Sequence, residues 1–155
     1  MTVTRRIILI ISVLIFCVSC DQTTKMAAET YLSKSGSWSF LGDTFRLQLA
    51  HNTGAFLGLG ATLPEACRET AFSVGTGGVL LLLLGFTLFA KSVTSLEIVA
   101  YILLLAGGVG NLIDRIRYGY VIDFMNIGVG SVRTGIFNVA DLAVTAGTLI
   151  FIVKL

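Results

Sequence analysis

Four long intervals of this 155-residue chain carry almost no charge, and they constrain its fold more than any other feature. The first two, 7–20 and 70–90, contain no charged side chain, and the other two, 93–113 and 136–153, contain one carboxylate each. A helix that crosses about 30 Å of hydrocarbon needs about 20 mostly apolar residues. We therefore predict four transmembrane helices, with spans at about 7–25, 68–90, 93–113 and 137–154.

The composition agrees with a membrane protein and excludes several functional classes. Only 13% of the residues are charged, whereas a soluble domain has about 25%, and the mean hydropathy is +0.89. The net charge of +2 comes from scattered cations rather than from a dense basic stripe, which argues against a nucleic-acid partner. The expected fold class is mainly α, a polytopic membrane protein that forms a single membrane domain over residues 1–155.

Positive charges at the ends of the predicted spans indicate the orientation, because cytoplasmic loops are enriched in Lys and Arg. The cations at these ends are Arg5, Arg6, Lys91 and Lys154. Both termini are therefore expected in the cytoplasm, with an outer loop at about 114–136. That loop contains three cations that the rule does not predict, namely Arg115, Arg117 and Arg133. We interpret them as held by the fold or by a ligand.

The other outer connection contains a strand pattern. Residues 45–51 alternate between apolar and polar, which is typical of a half-buried strand, and they follow a Leu-Gly-Asp turn at 41–43. We predict a small extracytoplasmic β-sheet cradle at about 35–60 that rests on the membrane surface.

No cysteine or histidine pattern points to a metal site or a disulfide framework. The three cysteines, Cys17, Cys20 and Cys67, are odd in number and lack metal-ligand spacing. His51 is the only histidine, which excludes His-based triads and two-histidine metal sites. We expect neither a metal nor a cofactor.

The N-terminus allows a second interpretation, a lipoprotein signal that is processed at Cys20. Processing there would leave three spans. Against it, Cys17 stands where such signals usually have Leu, and Asp21 and Lys25 are spaced i and i+4, which indicates a helix that continues past Cys20.

Two aspartates lie near the ends of the predicted spans, where ionisable groups are costly and are functional candidates by default. Asp141 lies near the outer end of the fourth span, and Asp123 follows the third. The glycine-containing chain between them can turn back, so that the two carboxylates can meet at the outer membrane surface. A close pair shares one proton and titrates as a unit, which is the acid–base arrangement of an aspartic protease.

Other roles for these aspartates stay open at this point. Each can cap a helix or pair with Arg115 or Arg117, since structural ion pairs also perturb carboxylates. A second functional hypothesis is a small proton-coupled carrier that uses Asp123 and Asp141 as relay sites. A carrier, however, needs its acid near the bilayer midplane.

More polar residues cluster at the end of the third span. Asn111 and Arg115 are spaced i and i+4 and can face one site together, whereas Asp114 can instead form a structural pair with Arg115. The Gly-Gly-Val-Gly run at 107–110 lacks the lysine of a phosphate loop, and we predict that it serves close helix packing.

Five motifs in this order and spacing resemble the lipoprotein signal peptidases, also called signal peptidase II. The motifs are DQTTK at 21–25, NTGAF at 52–56, GNLIDR at 110–115, VIDF at 121–124 and FNVAD at 137–141. Each motif alone is weak, but together they extend from the first span to the fourth.

The resemblance implies roles for individual residues. The catalytic aspartates of the family match Asp123 and Asp141. The positions that bind substrate or shape the site match Asn52, Gly54, Asn111, Arg115 and Asn138. A polar set with a structural role matches Asp21, Lys25 and Asp114. The motif at 52–56 departs from the family's pattern in the small residues before the phenylalanine, so the local shape of the cradle is expected to differ.

The resemblance also implies the reaction and its location. Such enzymes are metal-free aspartyl endopeptidases of the bacterial inner membrane. They cut prolipoprotein signal peptides just before a cysteine that already carries diacylglycerol. The expected partners are therefore these precursors and membrane lipid, and the protein is expected to be a monomer with its active site near the outer face.

Overall fold

The structure, a computed structural model, describes residues 2–53 and 65–154, without the side chains of residues 65–69 and 71. The helices are α1 (Val3–Ser35), α2 (Glu65–Phe89), α3 (Ser95–Tyr118) and α4 (Val139–Val153). The strands are β1 (Trp38–Phe40), β2 (Phe45–Asn52), β3 (Val121–Val129) and β4 (Val132–Arg133). The predicted fold class, mainly α with four helices and a small sheet, is confirmed.

Three of the helices in the described part of the chain are long and apolar enough to cross a membrane. These segments are Val3–Ser35, Phe72–Phe89 and Ser95–Tyr118. Helix α4, with 15 residues, is shorter. It cannot begin earlier, because Asn138 caps its first turn and Phe137 pairs with Met125 of β3.

Helix α1 extends ten residues beyond the predicted end of its span and leaves the apolar interval as a continuous helix. It ends where Gly36 takes a positive φ of 77° and its N–H bonds to the carbonyl of Leu32. Cys17 and Cys20 are free thiols within this helix.

The four strands form one antiparallel sheet in the order β1-β2-β3-β4. Strand β2 covers the predicted alternating segment and pairs with β3, so that Ala50 lies opposite Asp123. The register shifts between Leu47 and Ala50. Strand β3 lies in the connection that the sequence predicted as an outer loop, and the strand itself was not predicted. Its first four residues are all buried, so no alternation revealed it.

Helices α3 and α4 pack closely through glycine. A Cβ atom on Gly107 would lie 2.3 Å from the carbonyl oxygen of Ala140, and one on Gly147 would lie 2.8 Å from that of Ala100. Both distances are too short for a side chain. The prediction that the run at 107–110 serves helix packing is confirmed, and this packing brings the C-terminal half of α3 to the start of α4.

Candidate active site

Asp123 on β3 and Asp141 in the first turn of α4 meet at a shared asparagine. The side-chain amide of Asn138 donates to Oδ1 of Asp123 at 2.7 Å. The backbone N–H of Asn138 donates to Oδ2 of Asp141 at 3.1 Å, and Oδ1 of Asn138 accepts from the backbone N–H of Asp141 at 2.9 Å. The fold therefore brings together the two aspartates that the sequence singled out.

Asp123 occupies a buried position outside the helices. Its side chain is 3% exposed, and Asn52 at the end of β2 donates to its Oδ2 at 3.1 Å. Burial raises the pKa of Asp123 to about 6; the nearby charge of Asp141 adds to the rise, and the hydrogen bond from Asn52 opposes it. Asp123 can therefore hold a proton at a pH where most aspartates are ionised.

Asp141 has a more polar environment. It is the N3 residue of a capping box with Asn138 at the start of α4, where the positive end of the helix dipole favours an anion. Asn111 on α3 donates to its Oδ1 at 2.9 Å. Its side chain is half-buried and borders an open groove of about 320 Å³.

A buried ion triad lies behind the two aspartates. Nζ of Lys25 is 2.8 Å from Oδ2 of Asp21 and 2.7 Å from Oδ2 of Asp114, and all three side chains are at most 1% exposed. Asp21 accepts the backbone N–H of Ala140 at 2.8 Å, and Asp114 accepts that of Ile122 at 3.2 Å. Each acid of the triad thus binds the residue that directly precedes one of the paired aspartates.

Asn111 connects the triad to the aspartates. Its Oδ1 accepts from Nζ of Lys25 at 3.0 Å and from Nδ2 of Asn138 at 3.0 Å, while its Nδ2 donates to Asp141. The sequence predicted Asn111 at the site but did not predict this connection. Residues 25 and 111 lie on different helices, and their relative rotation cannot be read from the sequence.

Arg115 faces the site without direct pairing. It is half-buried and interacts electrostatically with Asp123, Asp141 and Asp114, but its side chain makes no hydrogen bond or ion pair with another described residue. Within the described chain, the alternative that the two candidate aspartates are ion-paired with Arg115 or Arg117 is therefore wrong. Helix capping does apply to Asp141. Asp114 pairs with Lys25 rather than with its neighbour Arg115.

One supporting residue had no predicted role. Nε2 of Gln22 lies 2.9 Å from Oδ1 of Asp114 and 3.3 Å from Oδ2 of Asp21. Gln22 belongs to the motif at 21–25, so its place beside Asp21 was the available signal. Gly54 and the rest of the 52–56 motif after Thr53 lie outside the described residues.

The described residues contain no group of three or more His, Cys, Asp or Glu side chains that could hold a metal ion. The buried carboxylates of the triad are instead neutralised in part by Lys25. The site therefore provides two carboxyl groups in different environments and a set of amide donors.

Comparisons with known proteins identify the family of this chain. The family model described as "Signal peptidase (SPase) II" matches residues 13–155. A lipoprotein signal peptidase of Pelodictyon phaeoclathratiforme is 30% identical over 154 residues, which cover 94% of this chain and 88% of that protein. One of Syntrophus aciditrophicus is 34% identical over 139 residues, covering 87% and 84%.

A solved structure is also similar. It is described as a bacterial membrane enzyme, with a TM-score of 0.81 and 28% identity over 94% of this chain and 91% of that one. Together with the family match and the curated relatives, this similarity confirms the resemblance drawn from the five motifs. The chain belongs to the signal peptidase II family.

Proposed function

We propose that this protein is an aspartyl endopeptidase that removes the signal peptide from diacylglyceryl-modified prolipoproteins, cutting just before the lipidated cysteine. Family membership makes it a membrane peptidase that acts on prolipoproteins. The observation that carries the aspartyl mechanism is the bridge that Asn138 forms between the carboxyl groups of Asp123 and Asp141.

The proposed reaction needs one proton shared by the two carboxyl groups. The ionised carboxylate takes a proton from water as the water oxygen bonds to the scissile carbonyl carbon. The protonated partner gives its proton to the carbonyl oxygen. The carboxyl group that took the proton from water then gives it to the nitrogen as the C–N bond breaks, and one hydroxyl of the intermediate returns its proton to the other carboxylate. The products are the signal-peptide carboxyl group and the free amine of the lipidated cysteine, and the pair again shares one proton.

The groove beside Asp141 supports an apolar substrate. Its other lining residues are Thr134, Gly135, Ile136, Phe137, Leu142 and Thr145. Because the two aspartates lie where the sheet meets the ends of the helices, a precursor can keep its acyl chains in lipid while the scissile bond reaches water. The protein is proposed to act as a monomer.

The arrangement of charges supports the proposed orientation in a bacterial inner membrane. Nη1 of Arg6 donates to the carbonyl oxygen of Ala90 at 2.5 Å, and Nζ of Lys154 lies 3.1 Å from Oε2 of Glu97. These contacts gather cations at the end of the bundle opposite Asp123 and Asp141. We propose that this end is cytoplasmic and that the active site lies near the outer face. A C-terminal alkaline phosphatase fusion is then expected to be inactive and a C-terminal fluorescent fusion bright.

The test is cleavage of a synthetic diacylglyceryl precursor by the purified protein in lipid. We expect product mass to show cleavage directly before the modified cysteine, and the same precursor without its lipid to stay intact. Asp123→Asn and Asp141→Asn are each expected to abolish cleavage while the protein still inserts. The aspartate of the β1–β2 turn, whose side chain is 42% exposed, provides a matched control, and Asp43→Asn is expected to remain active.

Full activity in either Asp123→Asn or Asp141→Asn would refute the aspartyl mechanism. Cleavage elsewhere in the precursor, or equal cleavage of the unmodified peptide, would refute the proposed substrate. Proton-driven uptake by the protein in vesicles, without peptidase activity, would instead support the carrier hypothesis.

A further inference from the structure

The buried ammonium group of Lys25 determines how the side-chain amide of Asn111 is oriented. Its three contacts are with Oδ2 of Asp21, Oδ2 of Asp114 and Oδ1 of Asn111, at 2.8, 2.7 and 3.0 Å. An ammonium has three N–H donors and no acceptor. The Asn111 atom that faces Lys25 must therefore be the oxygen, and the amide nitrogen must lie on the other side.

The other side of the Asn111 amide faces Asp141. Its N–H donates to Oδ1 of Asp141 at 2.9 Å, whereas a flipped amide would place two oxygens at this distance. Asn138 also donates to Oδ1 of Asn111, but its amide shares two hydrogens among three acceptors, Asp123 and the Ile122 carbonyl being the others. Lys25 therefore constrains the orientation of the Asn111 amide more strongly than Asn138 does.

A donor aimed at a carboxylate stabilises the ionised form. Asp141 receives this donor on Oδ1 and the backbone N–H of Asn138 on Oδ2, and it lies at a helix N-terminus. The charged groups around it are Arg115 on α3, Asp123 on β3 and, behind Asn111, the triad of Lys25, Asp21 and Asp114. Asp123, by contrast, is almost completely buried in a strand, where ionisation is more costly.

We propose that Lys25 is a positioning residue for catalysis: by holding Asn111 as a donor to Asp141, it keeps Asp141 ionised and leaves the shared proton on Asp123. The inference rests on the aspartyl peptidase function proposed above. Asp141 is then the group that takes the proton from water, and Asp123 is the group that protonates the scissile carbonyl oxygen.

The isosteric variant Asn111→Asp tests the donor directly. Its carboxylate still accepts from Lys25 and Asn138, but it presents an oxygen to Asp141 instead of an N–H. We expect the acidic limb of the kcat/KM profile on the lipidated precursor to move up by about one pH unit. On the acidic side of the wild-type limb, a shift of this size means about tenfold lower activity.

The double variant Lys25→Met/Asp114→Asn tests Lys25 itself. It keeps the triad at a net charge of −1, because one cation and one anion are lost together. The same upward shift is expected, since the amide loses the contact that orients it. Lys25→Arg, which keeps a buried cation with N–H donors, is expected to hold the acidic limb near its wild-type position even if turnover falls.

Gln22→Met provides the control for a structural role. Gln22 donates to both acids of the triad and to the carbonyl of Gly110, but it makes no hydrogen bond to the Asn111 side chain. Its loss is expected to lower the unfolding temperature without moving the acidic limb. If Gln22→Met and Lys25→Met/Asp114→Asn reduce turnover alike and neither moves the limb, the positioning role is refuted.

A measurement on the wild-type protein does not depend on the Asn111, Lys25 or Gln22 variants being stable. The chain has five aspartates, so ¹³C labelling of aspartate carboxyls gives five signals, with those of Asp123 and Asp141 identified from the two Asp→Asn variants. At about pH 5, between the two titrations expected of such a pair, the Asp123 signal should be that of a protonated carboxyl and the Asp141 signal that of a carboxylate. The reverse assignment would overturn the inference.

The two proposals fail in different ways. Activity in either Asp→Asn variant would refute the aspartyl mechanism. An active wild-type protein with both Asp→Asn variants inactive, but with an unmoved acidic limb in Asn111→Asp, would refute the role of Lys25 alone.

Discussion

The side-chain amide of Asn138 donates to Oδ1 of Asp123 at 2.7 Å, although the two residues belong to different elements of the fold. Asn138 is also the N-cap of α4, where its Oδ1 accepts from the backbone N–H of Asp141. One side chain therefore has two separable functions, starting the helix and joining the two carboxyl groups.

Asn138→Ser separates these functions. Serine is a good N-cap, so α4 is expected to start at the same residue. The amide that donates to Asp123 is lost, and a misplacement of about 1 Å at a catalytic group can cost about 100-fold in rate. We expect kcat/KM to fall about 10- to 100-fold, measured on the lipidated precursor, with a smaller drop in unfolding temperature than in Asn138→Ala.

Asn138→Ala is the comparison, because it removes the cap as well. It is expected to cost about 1 kcal/mol more in the free energy of unfolding than Asn138→Ser. Wild-type activity in Asn138→Ser would show that the bridge between the carboxyl groups is not needed.

The hydrogen bond from Asn52 to Asp123 predicts a change in the pH profile. This bond lowers the pKa of Asp123, which burial holds at about 6. Asn52→Ala removes the bond, so the pKa should rise and Asp123 should keep its proton to higher pH. The alkaline limb of kcat/KM, which reports loss of the shared proton from the free enzyme, should therefore move to higher pH. A shift to lower pH would contradict this explanation.

The same pKa predicts how stability depends on pH. Burial raises the pKa of Asp123 from 3.8 to about 6, so the folded protein binds this proton more tightly than the unfolded chain. The stabilisation is complete below about pH 3.8 and is lost as the pH rises through 6. We expect the ionisation of Asp123 to lower the free energy of unfolding by an amount on the order of 1 to 3 kcal/mol across that pH window.

Asp123→Asn isolates that contribution because asparagine does not titrate. The unfolding temperatures of Asp123→Asn and of the wild type are compared at each pH in the same detergent. The variant's value minus the wild-type value should increase from about pH 4 to pH 7. Comparing the trend rather than one value removes any constant effect of the altered hydrogen bonds. A difference that does not change with pH would contradict the raised pKa.

Much of the site could be predicted from the sequence because its residues stand out in an apolar chain. Asp123 and Asp141 lie at span ends with a glycine-containing return between them, and Asn111 precedes Arg115 by one helical turn. Such local spacing determines which side chains share a face. This spacing was sufficient to predict that the candidate catalytic pair and the amide donors lie in one region.

The sequence did not predict which residues on different helices would pair with one another. The sequence offered Arg115 as the neighbour of Asp114, yet adjacent residues on a helix point in different directions, and Asp114 pairs with Lys25 on α1. Strand β3 was missed for another reason. Its start is covered on both faces, so it shows neither the period of a half-buried strand nor the length of a helix.

The close packing of α3 on α4 predicts that the site depends on Gly107. A Cβ atom at this position would lie 2.3 Å from the carbonyl oxygen of Ala140 and 2.6 Å from Cγ2 of Val144. Because Ala140 directly precedes Asp141, Gly107→Ala must push the start of α4 away from α3 and lengthen the bond between Asn111 and Asp141. We expect at least a tenfold loss of kcat/KM and a lower unfolding temperature.

Gly78→Ala is the matched control on α2. Its Cβ would have no neighbour within 4 Å, and alanine favours a helix by about 1 kcal/mol over glycine. This variant is therefore expected to keep full activity and to be at least as stable as wild type, as measured by precursor cleavage and thermal unfolding in the same detergent. If both glycine variants behaved alike, the close approach of α3 to α4 would not be what holds Asn111 against Asp141.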